Sequence, residues 1–117
     1  MKSINIFKLF IAVMVIFSFI AGKSFAGDKT AEISLPTIQC GMCERTIEKA
    51  INKIDGIVDI NIDVENKKAT VTYDDTKTDL TAIEKAITSA GYDANDTKAN
   101  AEAYKKLNNC CKLPKDR

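Results

Sequence analysis

Val58-Asp59-Ile60-Asn61-Ile62-Asp63-Val64-Glu65-Asn66-Lys67-Lys68-Ala69-Thr70-Val71-Thr72-Tyr73 holds two alternating runs divided by a charged turn. Val58, Ile60, Ile62 and Val64 alternate with Asp59, Asn61 and Asp63, and the period resumes in Ala69, Val71 and Tyr73. Successive side chains of a strand point to opposite faces, so the pattern predicts an antiparallel hairpin with one dry face and one wet face. Helical spacing flanks it on both sides. Ile47, Ala50, Ile51 and Ile54 recur at i, i+3, i+4 and i+7, which predicts an amphipathic helix over residues 44–54 stopped by Asp55-Gly56. Leu80, Ile83, Ile87 and Ala90, with Ala86, predict a second helix ending at Gly91.

Farther out, Ala31-Glu32-Ile33-Ser34-Leu35 alternates as a first strand that Pro36 ends, and Tyr92-Asp93-Ala94 reads as a short last strand. The order over residues 30–95 is β-α-β-β-α-β. An α+β class follows: the ferredoxin-like arrangement, with two helices on one face of a four-stranded antiparallel sheet. Good helix formers over residues 99–107 predict an added C-terminal tail helix.

The chain has 117 residues, enough for one small domain and its appendages. Lys2 and Lys8 precede an uncharged apolar run at residues 9–22, and Ser24-Phe25-Ala26 supplies the small residues of a cleavage site. This pattern predicts a secretory signal peptide over residues 1–26. The run falls short of the ~20 apolar residues that span a bilayer as a helix, so no stable membrane insertion is expected after cleavage. The expected product is an exported, periplasmic bacterial protein. Loss of Lys2, Lys8 and Lys23 takes the formal charge from +1 to −2. With Arg45 and Arg117 the only arginines, no basic footprint for nucleic acid remains.

The sequence has four cysteines and no histidine. Ser-His-Asp and Cys-His catalysis and every His-containing zinc site are thereby excluded. A domain this small also leaves little room for the apolar cleft of an enzyme with a sizeable organic substrate. What remains is Cys40-Gly41-Met42-Cys43, two thiols at the junction of a strand and a helix. Free N–H groups at a helix start favour thiolates. Two thiolates hold a soft d¹⁰ ion in line, which suits Cu(I) and Hg(II), whereas Zn(II) wants four ligands.

The C-x-x-C loop that opens a helix, the hairpin and Gly91-Tyr92-Asp93 together resemble the heavy-metal-associated domain family, which includes bacterial copper chaperones and periplasmic mercury-binding proteins. The resemblance covers residues 27–95 and implies a metal-binding, non-enzymatic protein. It implies that Cys40 and Cys43 are the primary ligands. Ile38 takes the place of a Met that packs beneath the loop, and Tyr92 matches an aromatic that lies near it. A metallochaperone or scavenger of this kind transfers its ion to a cysteine-bearing membrane transporter or metal-pumping ATPase. The protein is then a monomer or a metal-bridged dimer. Met42 is read as a packing or partner-contact residue.

Two alternatives stand beside metal carriage. The pair can form a plain disulfide, or it can work as a thiol-disulfide oxidoreductase, although the element order is not that of a thioredoxin fold and no Trp-Cys-Gly-Pro-Cys motif is present. Cys110-Cys111 lies in the tail, residues 96–117, beyond the resemblance. Adjacent residues are expected to have difficulty reaching one ion together. Three uses are open: auxiliary metal ligands, which would admit Zn(II) or Cd(II); a disulfide lid formed with Cys40 or Cys43; or inert surface thiols.

Overall fold

The computed structural model describes residues 27–117; the signal peptide expected over residues 1–26 lies outside the described residues. The hairpin forms as β2 (Ile57–Asp63) and β3 (Lys68–Asp74). Its turn is held by Asp63, whose carboxylate accepts from the Asn66 backbone at 3.0 Å and from the Asn66 amide at 2.7 Å. β1 (Asp28–Ser34) pairs antiparallel with the other side of β3, so the sheet order is β1-β3-β2. The register sets Ile33, Ala69 and Ile62 in one cross-strand row and Ala31, Val71 and Ile60 in the next. Such rows are the unit of sheet stabilisation.

Helix α1 (Gly41–Asn52) and helix α2 (Leu80–Ser89) cover the dry side. Ile47 and Ile51 of α1 and Ile83 and Ile87 of α2 meet Ile33, Ala69 and Val71 in one fully buried core. The opposite face is wet, with Thr30 Oγ1 3.1 Å from Thr72 Oγ1 and Lys68 Nζ 3.3 Å from Glu32. Asp79 caps α2 by accepting from the Ala82 N–H at 2.8 Å.

Four expectations need correction. Val58 does not point into the core: the register slips between Ile57 and Asp59, leaving Val58 57% exposed while Ile57 takes the place opposite Tyr73. A bulge of this kind re-aims one residue without disturbing the alternation that follows. α1 begins at Gly41 rather than at residue 44, because the Cys40 carbonyl accepts from the N–H groups of Cys43 at 3.0 Å and Glu44 at 3.2 Å. Cys43 therefore lies in the first turn.

The last strand is also absent; among the described residues the sheet has three strands. Ala94 and Thr97 close a tight turn on each other, with Asn95 at φ 51°. Asn95 still supplies one rung on the β1 edge. Its backbone N–H donates to the Ser34 carbonyl at 2.9 Å, and its side-chain Oδ1 accepts from the Ser34 N–H at 2.8 Å.

The tail helix is shorter than predicted, α3 (Ala101–Lys105), followed by 3₁₀ turns at Asn109–Cys111 and Pro114–Asp116. It is nonetheless firmly tied down. Asp93 accepts from the Ala99 N–H at 2.8 Å, the Asn100 N–H donates to the Thr88 carbonyl at 2.9 Å, and Leu107 packs against the core. Gly91, at φ +105°, lies so close to α3 that a Cβ there would be 3.1 Å from the Ala103 carbonyl. Tyr104 closes the far end, donating to Asp116 at 2.6 Å and accepting from the Leu113 N–H at 3.0 Å.

Candidate metal centre

The β1–α1 loop places its two thiols by separate means. Ile38, fully buried, anchors the loop from below, its N–H donating to the Leu35 carbonyl at 3.1 Å. Cys40 is in extended backbone just before α1, and Cys43 is buried one turn later. Their Sγ atoms are 3.6 Å apart. The Cys43 backbone N–H lowers the Cys40 thiol to about 7 against partial desolvation, with help from the Met42 N–H and the Cys43 and Cys110 side chains. A substantial thiolate fraction is thus present at neutral pH, which soft-metal capture requires.

The tail brings the other two thiols to the same place. The sulfurs of Cys40, Cys110 and Cys111 lie within 4.8 Å of one another. Cys110 and Cys111 have their Sγ atoms 3.9 Å apart, so the 3₁₀ turn directs two adjacent side chains toward one point. Cys110 is exposed, and Cys111 is only 2% exposed. Burial pushes the Cys111 thiol up to about 12, and the neighbouring Cys43 thiol pushes in the same direction. All four cysteines are free thiols.

Tyr92 is fully buried, and desolvation first, then the nearby Cys43 and Cys111 side chains, push its phenol pKa well up and keep the hydroxyl protonated. Its hydroxyl has no hydrogen-bond partner. Met42, 49% exposed, touches the tail: its Sδ is 3.1 Å from Asn108 Nδ2 and 3.9 Å from Cys110 Sγ. Arg117 reaches back to donate to the Cys110 carbonyl at 3.5 Å. A shallow cleft of about 260 Å³, lined among others by Thr37, Asp93, Tyr104 and Asp116, is bordered by no cysteine. The thiol cluster lies at the edge of the core, with Cys43 and Cys111 buried and Cys40 and Cys110 on its open side.

Residues 32–93 match the heavy-metal-associated domain. The chain belongs to that family. The chain is similar to a protein of Shewanella putrefaciens named mercuric transport protein periplasmic component, 37% identical over 82 residues that make up 70% of this chain and 90% of that one. Its fold is similar to that of oxidized MerP from Ralstonia metallidurans CH34, with 35% identity and a TM-score of 0.56 over 58% of this chain and 94% of the other. The CopZ metallochaperone gives 32% identity and a TM-score of 0.55 over 56% and 98%. Cys40, Cys43, Ile38 and Tyr92 fall inside the matched residues, whereas Cys110 and Cys111 lie beyond them.

Sequence reasoning named the four thiols, Ile38, Met42 and Tyr92, and the structure brings all of them to one end of the domain. It missed Asn108 and Arg117 at the site, and Gly91 and Asp93 as docking points for the tail. Gly91 carried a signal of another kind, since it was read only as a helix stop.

Proposed function

We propose that this protein is an exported carrier that takes a soft ion on Cys40 and Cys43 and passes it to a cysteine-bearing membrane transporter or metal-pumping ATPase. The observation that carries the reading is the 3.6 Å separation of the Cys40 and Cys43 sulfurs at the start of α1, where the Cys40 thiol is lowered to about 7. Metal–sulfur bonds of ~2.3 Å placed in line need sulfurs ~4.6 Å apart. A rotation of Cys40, the more exposed of the two, opens the pair to that distance. An acceptor thiolate can then attack the two-coordinate ion, and a donor sulfur leaves only after the new bond has formed. Handover thus releases no free ion.

Hg(II) is the first choice of cargo, supported by the mercuric transport proteins to which the chain is similar, and the likeness to CopZ supports Cu(I) second. Export is supported by the residue 1–26 pattern and by the periplasmic relatives. Those relatives are named for transport, so a non-enzymatic role is proposed over thiol-disulfide exchange. The test is native mass spectrometry of the reduced protein offered Hg(II), Cu(I) and Zn(II) in competition with a thiol buffer, beside the Cys40→Ser/Cys43→Ser double variant. One retained soft ion that the double variant loses is the expected result. A reduced protein that retains no ion but exchanges disulfides with a test substrate would overturn it.

A further inference from the structure

The tail is joined to the domain, not merely appended to it. Cys111 belongs to the buried core, and the Asp93, Thr88 and Gly91 contacts hold the preceding helix in place. The vicinal thiols are thereby delivered to Cys40. Three ~2.3 Å metal–sulfur bonds at trigonal angles set the sulfurs ~4.0 Å apart. Cys110 and Cys111 already stand at 3.9 Å, and each lies within 4.8 Å of Cys40. Geometry for a three-thiolate ion is closer to hand than geometry for a linear one.

A second, independent observation points to charge at this place. The Tyr92 hydroxyl is wholly buried without a partner, beside the Cys43 and Cys111 side chains. A buried unpaired hydroxyl requires a reason. Thiols are weak acceptors and thiolates strong ones, so a site whose sulfurs lose their protons to a metal gives this donor its partner.

We propose that Cys40, Cys110 and Cys111 form a three-thiolate site for a soft divalent cation, with Cys40 shared between this site and the Cys40/Cys43 pair. The proposal rests on the carrier reading and adds a second station within the chain. An ion on Cys40 and Cys43 gains bonds to Cys110 and Cys111, each thiol releasing its proton to solvent. The bond to Cys43 then breaks, and that sulfur takes a proton back. No electron moves, and the ion keeps its charge. Three thiolates around a divalent ion leave one net negative charge, and the Arg117 guanidinium stands at that end of the tail. A tail station keeps the ion on the protein until an acceptor's thiols displace it.

The experiment is X-ray absorption at the Hg edge on the reduced protein loaded with one equivalent of Hg(II), repeated on Cys110→Ser, Cys111→Ala and Cys40→Ser/Cys43→Ser. Wild type is expected to show three sulfurs around mercury, with one sulfur lost in Cys110→Ser and in Cys111→Ala. Cys110 is exposed, so its variant tests the proposal without touching the core. Two sulfurs in wild type, unchanged in Cys110→Ser, would overturn the tail station and leave the Cys40/Cys43 carrier intact. Failure of wild type to retain mercury would instead overturn the carrier reading, and the tail station with it.

Discussion

At Tyr92, stability and binding pull in opposite directions. Its hydroxyl is buried without a hydrogen bond in the metal-free protein, a state that costs about 1–3 kcal/mol relative to a satisfied group. Tyr92→Phe removes the orphan and keeps the ring. The metal-free variant should be more stable than wild type by ~1 kcal/mol in urea denaturation, while its loaded form should give up Hg(II) to a competing thiol more readily. An equal change in both forms would mean that the hydroxyl ignores the ion. Cys40 is testable through its proton. Its thiol is lowered from 9.0 to about 7 by the Cys43 N–H first of all, so the thiolate is favoured in the fold and predominates above that pH. Alkylation of Cys40 in the folded, metal-free protein should reach half its maximal rate near pH 7 and, in urea, only near pH 9.0. Cys111, buried and shifted the other way, should resist alkylation throughout that range.

Among the elements, the joint between α2 and α3 depends on Gly91. Its φ of +105° disfavours any side chain, and a Cβ would sit 3.1 Å from the Ala103 backbone. Gly91→Ala should destabilise the protein by ~1–3 kcal/mol and, by loosening α3, speed alkylation of Cys111; a thermal melt and a thiol-labelling time course check the two halves. This joint was invisible in the sequence. Local periodicity announces elements that bury one face, and for that reason the hairpin, both helices and the first strand were legible from Ile and Val spacing alone. Backbone-to-backbone contacts leave no such trace: a Gly that admits a neighbouring helix reads the same as a Gly that ends its own. The bulge at Val58 was hidden because Ile57 and Val58 are both apolar, and alternation cannot choose between them. Tyr92-Asp93-Ala94 had strand-like composition, but Asp93 is used to hold Ala99 and Asn95 turns the chain. At the site, the Cys40/Cys43 spacing was readable because chelation by one loop is a local fact. The convergence of Cys110 and Cys111 on it depends on a docked tail, and only the structure supplies that.

For the molecule as a whole, binding and folding are linked. A ligand that binds only the native state adds ~2.7 kcal/mol at a hundred times its dissociation constant. Saturating Hg(II) should therefore raise the melting temperature of wild type by several degrees and that of Cys40→Ser/Cys43→Ser, which keeps only the tail thiols, by clearly less, as read by differential scanning calorimetry. An equal rise in both would place the binding elsewhere. The bulge in β2 has a further consequence at this scale. Among the described residues β2 is the last strand of the sheet on its side, with its outward N–H and C=O groups facing away from β3. Regular, flat edges of that sort invite edge-to-edge aggregation, and natural sheets blunt them with bulges and charge. The slip at Val58, with Asp59 and Asp63 along the same strand, spoils the template. A carrier of the kind proposed needs its sheet to remain unsociable, and the displaced Val58 helps to keep it so.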